Sequence, residues 1–187
     1  MNSSTIETLK NLETTSDKFW NVSHQSANFI NMLIKLMKAQ NVLELGTSNG
    51  YSGLWIADAL KETGGHLTTI EFWEKRQSIA RENFANCGFS DLVTFKLGAA
   101  YDIIKDEIKE KFDLVFIDAN KEEYAKYFEV VNPLVKKGGV ILADNITSHA
   151  KKVQPFIDLI TNNGCYQVQI LDLPDGMLMA YKYQEQL

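Results

Sequence analysis

Cysteine is scarce in this chain. The 187 residues hold two, Cys87 and Cys165, far apart and in no C-x-x-C spacing. That excludes a thioredoxin-like redox pair and leaves a zinc site unsupported, so both read as buried thiols. Long apolar runs are also missing. No stretch reaches the roughly 20 residues of a membrane-spanning helix, and the opening MNSSTIETLKNLE lacks the basic and apolar regions of a secretory signal. A cytoplasmic protein with no membrane partner is expected. Positive charge is in deficit: 19 Lys and Arg against 24 Asp and Glu give a net charge of -5. With no basic cluster to offset it, no nucleic acid partner is expected. Linkers, repeats and low-complexity segments are absent as well.

What is present is an ordinary globular composition, 45% hydrophobic and 23% charged, in a length that fills one domain. Residues 1–22 are polar with Ile6, Leu9 and Leu12 at helical spacing, which reads as a helical or mobile extension; residues 23–187 form the domain proper. Ser23 caps a helix to Lys38 whose apolar face is Phe29, Ile30, Leu33, Ile34, Leu36 and Met37. Strands then alternate with helices: Val42 to Leu45, His66 to Glu71, Leu92 to Leu97, Phe112 to Ile117 and Gly139 to Ala143. Between them fall helices over Tyr51–Lys61, Trp73–Cys87, Ala100–Lys109 and Glu122–Val131, with another over Ser148–Asn162. Such alternation predicts a parallel sheet covered on both faces, with right-handed crossovers. The pattern then breaks. Tyr166–Leu171 and Met177–Tyr183 are strands joined by a short turn at Pro174, Asp175 and Gly176, which favours an antiparallel hairpin.

The most informative stretch is Asn41 to Gly53, NVLELGTSNGYSG, where a buried strand runs through a glycine turn into a helix. Glycines there let a nucleotide-like ligand approach the backbone, and the helix offers unpaired N–H groups. Ser48 stands where the dinucleotide fingerprint needs its second glycine, and Tyr51 follows Gly50 where a P-loop needs lysine. The remaining E-x-G-x-x-x-G, Glu44, Gly46 and Gly50, resembles the first motif of S-adenosylmethionine-dependent methyltransferases. A doubly wound α/β, mainly parallel seven-stranded sheet with a C-terminal antiparallel hairpin is the Rossmann-like architecture of the class I enzymes of that group.

Ligands of open α/β sheets bind beyond the carboxyl ends of the strands. Glu71 ends the second strand, where a carboxylate can accept hydrogen bonds from ribose hydroxyls. Asp118 follows the fourth strand, and Asp144 with Asn145 the fifth. If those strands are neighbours, about 4.8 Å apart, the three side chains form a hard oxygen set suited to Mg²⁺ or Ca²⁺. As alternatives, Asp118 and Asp144 cap helices or pair with Lys121. His149 reads as a surface or helix-end residue. Trp20, Tyr51, Trp73 and Tyr124 could line a ligand site or serve the core; Trp73, two residues after Glu71, is favoured as a cavity wall.

Five segments, SHQSANFINMLIKL, ELGTSNGYS, FDLVFIDANKEEYAKYF, KKGGVILADN and PDGMLMAYK, together resemble the catechol and caffeoyl-CoA type of metal-dependent O-methyltransferase, across nearly all of Ser23 to Lys182. The resemblance implies S-adenosylmethionine as cofactor, a small hydroxylated acceptor and a homodimer. It places Glu44, Gly46, Ser52, Glu71, Ala99 and Asp118 around the cofactor. Ser52 would stand near its carboxylate, Glu71 on its ribose and Ala99 near its adenine, with Trp73, from its position after Glu71, as a wall for that ring. It makes Asp118, Asp144 and Asn145 the metal ligands, and Lys121 with Asp118 the catalytic pair, Lys121 as general base. Two departures are visible. Related catechol enzymes carry an acidic residue just after the hairpin glycine, where this chain reads Gly176, Met177, Leu178. Members with bulky substrates have a longer insertion after the Asp-Asn pair, whereas here Asn145 runs directly toward a helix, so the acceptor pocket is open or completed by another subunit. A metal-independent methyltransferase and a non-catalytic nucleotide-binding module are the alternative readings.

Overall fold

In the computed structural model, residues 1–185 are described. The N-terminal helices α1 (Ser3–Glu13), α2 (Ser16–Phe19) and α3 (His24–Met37) precede the alternating part of the chain. There follow β1 (Asn41–Leu45), α4 (Tyr51–Thr63), β2 (His66–Glu71), α5 (Glu74–Cys87), β3 (Val93–Leu97), α6 (Ala100–Glu107), β4 (Phe112–Ile117) and α7 (Tyr124–Val131). The chain ends with β5 (Val135–Ala143), α8 (Ala150–Thr161), β6 (Tyr166–Leu171) and β7 (Met177–Lys182). The strands form one seven-stranded sheet in the order β3-β2-β1-β4-β5-β7-β6. The first five are parallel, and β7 runs antiparallel to both β5 and β6.

Side chains alternate across the pleat, and each strand feeds two cores. Val42, Leu114, Phe116, Val140 and Leu142 pack on one face with Ile30, Ile34, Leu54 and Phe84 from α3, α4 and α5. Their neighbours Leu43, Leu45, Val115, Ile117, Ile141 and Ala143 pack on the other with Ile103, Phe128 and Phe156 from α6, α7 and α8. A strand buried on both faces is predominantly apolar, which is why LVFI and VILA read as continuous runs. Each fully buried Leu or Phe contributes about 1.5–3 kcal/mol of transfer free energy.

Ser23 caps α3 by accepting the Ser26 amide at 3.0 Å. Upstream, α1 packs on α5 and α4, with Leu9 and Leu12 buried in the first core while Ile6 stays exposed. Most elements keep their expected bounds within two residues, and two depart in kind or by more than that. The helix expected from Glu122 begins as a tight 3-10 turn, Lys121–Glu123, before α7. The fifth strand starts at Val135 rather than Gly139, because the register against β4 shifts between Phe112 and Leu114 and Gly138 takes a φ of 85° there. A bulge with a left-handed glycine extends a strand that the sequence reads as a turn.

In the sheet order β1 has β2 on one side and β4 on the other, so the chain reverses direction across the sheet between β1 and β4. The crevice at this switch point is where ligands of such sheets bind.

Candidate active site

A cavity of about 910 Å³ opens at the carboxyl ends of β1 to β4. Gly46, Ser52, Glu71, Trp73, Ala99, Asp118 and Lys121 all line it. Gly46 leaves β1 with a φ of 102°, and its amide donates to the Ile70 carbonyl at 2.9 Å. A Cβ here would collide with the backbone carbonyl of Asp118, so glycine is required on both steric and conformational grounds. Ser48 follows in the left-handed region, and Gly50 starts α4 with a φ of 87°.

Glu71 is tied to that turn. One carboxylate oxygen accepts the Ser48 amide at 2.8 Å and the other accepts the Trp73 amide at 2.9 Å. Each carboxylate oxygen can accept more than one hydrogen bond, so Glu71 keeps acceptor capacity for a ligand while its orientation is fixed. Trp73, at the N-cap of α5, is largely exposed on the cavity rim, and Ala99, at the N-cap of α6, lines the cavity as well.

Glu44 lies behind the wall rather than on it. Alternation along β1 turns its side chain toward α4, where it is fully buried. Its two oxygens accept the Ser52 hydroxyl and the Thr69 hydroxyl, each at 2.6 Å. Burial raises its pKa to about 7, against the lowering effect of those two hydrogen bonds.

The acidic end stands where β4 and β5 run side by side. Lys121 donates to Asp118 at 2.7 Å, and both side chains are mostly buried. Asp144 is 2% exposed, and its Oδ1 has no hydrogen-bond partner. Burial raises the pKa of Asp118, opposed by Lys121; burial and then the Asp118 charge raise that of Asp144. Asn145 follows in the left-handed region with a φ of 63°, its amide nitrogen 3.5 Å from the Ser148 hydroxyl. An orphaned buried carboxylate oxygen, beside a second carboxylate and an amide, fits a hard divalent cation such as Mg²⁺ or Ca²⁺. Among the described residues no three His, Cys, Asp or Glu side chains converge as a metal-holding group, so such a site rests on two carboxylates and one amide oxygen. His149 is exposed at the N-cap of α8 and within reach of Ser148 at 3.1 Å. Asp144 and Asn145 do not line the large cavity.

The strand order, the glycine turn and the paired acidic ends coincide with a match to known proteins. The family model described as O-methyltransferase matches residues 2–181. The chain belongs to the O-methyltransferase family. It is 38% identical over 133 residues to the catechol O-methyltransferase of Niastella koreensis, a match covering 70% of this chain and 60% of that protein. To caffeoyl-CoA O-methyltransferase 1 of Zea mays it is 36% identical over 165 residues, covering 80% of this chain and 61% of that protein. The chain therefore spans about three fifths of the length of the curated relatives it matches. The crystal structure of the O-methyltransferase from Bacillus cereus, in complex with SAH, superposes with a TM-score of 0.85 at 31% identity, covering 97% of this chain and 92% of that one. The fold is that of the class I, Rossmann-like methyltransferases.

The cavity also has lining residues that sequence patterns did not single out, Phe19, Asn21 and Val22 among them. Phe19, Trp20, Asn21 and Val22 cross from α2 to α3 along the cavity wall. The Ser48 hydroxyl holds the Phe19 carbonyl at 3.0 Å, and Arg76 stacks on Trp20 at 4.9 Å. Of the four aromatic residues that the sequence offered as lining or core, Trp20, Tyr51 and Trp73 line the cavity. Tyr51 also donates to Glu13 at 2.7 Å, whereas Tyr124 is wholly buried. Tyr101, Asp102 and Lys126 complete the far wall from α6 and α7. On the hairpin, Asp175 precedes Gly176, and its charge acts on both Asp118 and Asp144. A carboxylate thus reaches this end from the position before the glycine rather than after it.

Proposed function

We propose that this chain is an S-adenosylmethionine-dependent O-methyltransferase that methylates a hydroxyl of a small catechol-like acceptor, with a divalent cation held by Asp118, Asp144 and Asn145. The observation that carries the reading is the pairing of a nucleotide-sized cavity at the β1–β4 switch point with the adjoining buried set Asp118, Lys121 and Asp144. The similarity to catechol O-methyltransferases and to the Bacillus cereus enzyme in complex with SAH supports it.

Glu71 takes the ribose hydroxyls of the cofactor, Trp73 and Ala99 flank its adenine, and Gly46 and Asp118 border its amino-acid end. In the transfer, an acceptor oxygen forms a bond to the methyl carbon as the carbon–sulfur bond breaks and sulfur keeps the electron pair. The cation, when bound, lowers the charge cost of an oxyanion on adjacent hydroxyls. Lys121 stands beside that end and, as the neutral amine, would accept the hydroxyl proton to become the ammonium, while Asp118 fixes where its nitrogen points. The walls Phe19–Val22 and Tyr101 hold the reactants in line and exclude water.

The test is transfer of labelled methyl from S-adenosylmethionine to a panel of catechols and caffeoyl esters, with Mg²⁺ and with a chelator. Metal-dependent product is expected. Undiminished transfer under chelation would replace this reading with a metal-independent methyltransferase. Transfer in neither arm would favour a binding role. Removing Glu71 should act mainly on the cofactor: Glu71→Ala is expected to weaken S-adenosylhomocysteine binding about 10- to 100-fold, the worth of a charged hydrogen bond. Calorimetric titration measures it, and unchanged affinity would remove Glu71 from the ribose. We also propose a homodimer built on the N-terminal helices, where Met32 and Leu36 of α3 are exposed; a solution mass of one 21.2 kDa chain would refute it.

A further inference from the structure

Behind the cavity wall runs a closed chain of hydroxyls ending on one acid. Ser52 and Thr47 line the cavity, while Thr69 and Glu44 lie wholly beneath it. Ser52 lies 2.6 Å from Glu44 Oε1, Thr69 2.6 Å from Glu44 Oε2, and Thr47 2.6 Å from Thr69. Each hydroxyl owns a single proton. With Glu44 ionised, Ser52 must donate to Oε1 and Thr69 to Oε2, since an unprotonated 2.6 Å contact between two oxygens would be repulsive. Thr69 then has no proton left, so Thr47 donates to Thr69. All three protons point inward, and the two hydroxyls that face the cavity can only accept.

Such a wall cannot receive an anion. A single extra proton on Glu44 changes that, whichever oxygen carries it. Placed on Oε1, it is donated to Ser52, whose own proton turns to the cavity. Placed on Oε2, it is donated to Thr69, Thr69 donates to Thr47, and the Thr47 proton turns to the cavity. We propose that Glu44 sets the hydrogen-bond polarity of this wall, and that a ligand carboxylate is received at Ser52 or Thr47 together with one proton taken up by Glu44. The inference rests on the cofactor reading above and deepens it: the amino-acid end of the ligand binds with a proton.

The surroundings agree. The charged groups that act on Glu44 from the flanking strands are Asp118 at the end of β4 and Glu71 at the end of β2, both acids. The wall facing it from α4 and α5 is Ser52, Gly53 and Phe84, with a Cβ on Gly53 falling 3.2 Å from Glu44 Oε2. No cation compensates it among these groups. With its pKa near 7 in the free protein, the acid titrates where the experiment can follow it. Affinity is full below that pH and is lost as pH rises through it.

The experiment is calorimetric titration of S-adenosylhomocysteine into the wild-type chain and into Glu44→Gln, from pH 6 to 8, in two buffers of different ionisation enthalpy. The amide always carries the donor that the protonated acid supplies, and it spares the fold a buried charge. Wild type is expected to take up about one proton per ligand at pH 8 and to lose about tenfold in affinity from pH 6 to 8, the slope of a one-proton linkage. Glu44→Gln should take up that proton no longer and keep its affinity within about twofold over the range. As a probe without an amino-acid end, 5′-methylthioadenosine should bind wild type with no Glu44-dependent uptake. If Glu44→Gln does not fold, the double variant Ser52→Ala, Thr47→Val takes its place and should also lose the uptake. Equal proton uptake in wild type and variant, or uptake with methylthioadenosine, overturns the inference while leaving the cofactor reading intact. Failure of either ligand to bind wild type overturns both.

Discussion

Asp144→Ala is expected to lower metal-dependent methyl transfer about a thousandfold, the scale set by removing a preorganised electrostatic group from a water-poor site. Asp144 is 2% exposed, and its Oδ1 has no partner in the chain. Polar atoms in that position are rare unless something outside the chain completes them. The substitution should leave S-adenosylhomocysteine affinity within about twofold, because Asp144 does not line the cavity assigned to the cofactor. It should not cost the metal-free fold stability either. Burial and the Asp118 charge raise the Asp144 pKa above its unfolded value, so the ionised form is disfavoured in the folded chain. Stability held below the unfolded pKa is lost as pH rises through the folded one, and deleting the group at pH 8 therefore removes a penalty. Thermal melting at pH 5 and 8 with chelator, beside kcat with Mg²⁺, separates the outcomes. A variant that turns over normally would empty the proposed metal site of its central ligand.

Lys121→Met is expected to reduce kcat by about 100- to 10,000-fold, the range for a positioned general base. Its effect on stability should depend on the cation. Lys121 is the close counter-charge of Asp118 at 2.7 Å, and both side chains are mostly buried. Removing one partner of such a pair leaves a charge stranded, at a cost of about 3–5 kcal/mol for a fully buried one and less for this partly exposed pair. If Asp118 is also a metal ligand, Mg²⁺ should restore much of that loss, so the melting temperature of Lys121→Met should respond to Mg²⁺ more than that of wild type. A simple ion-pair role for Lys121 predicts the stability loss with kcat nearly intact. Parallel melting curves and initial rates across a Mg²⁺ series distinguish the two.

The alternating part of the chain was legible because its signals are local. FDLVFI and HLTTIE are strands with the bounds that their composition suggests, and Gly64 and Gly88 end α4 and α5 as left-handed caps. The strand-end acids follow from the same reading: once β4 and β5 are neighbours, Asp118 and Asp144 have to emerge side by side. What could not be read depends on distance along the chain. The hold of Ser48 on Phe19 and of Arg76 on Trp20 joins segments that share no periodic pattern, so of the N-terminal wall only Trp20 was named from the sequence. Glu44 shows a different limit. The motif that contains it pointed to cofactor contact, but alternation along β1 turns its side chain beneath the turn, where it reaches the cavity only through Ser52 and the Thr69–Thr47 pair.

The last strand in sequence is an interior strand in space. Since β7 lies between β5 and β6, β5 has an open edge until residues 177–182 have been synthesised. The turn before β7 also fixes the loop beyond Asn145, with the Ile146 amide on the Gly176 carbonyl at 3.0 Å and the Thr147 amide on the Asp175 carbonyl at 2.9 Å. Lys182 then buries its ammonium against the Asn132 and Val135 carbonyls at 2.8 and 3.0 Å. In chain order the glycine turn meets α4 and β2 early, while the end carrying Asp144 gains its neighbour β7 more than thirty residues later. A message truncated before Met177 would yield a chain with the nucleotide crevice in place and a bare strand edge beside it, the kind of edge that pairs with other chains. Chain order therefore supplies the strands β1 to β4 that frame the crevice before the strand that covers the edge of β5.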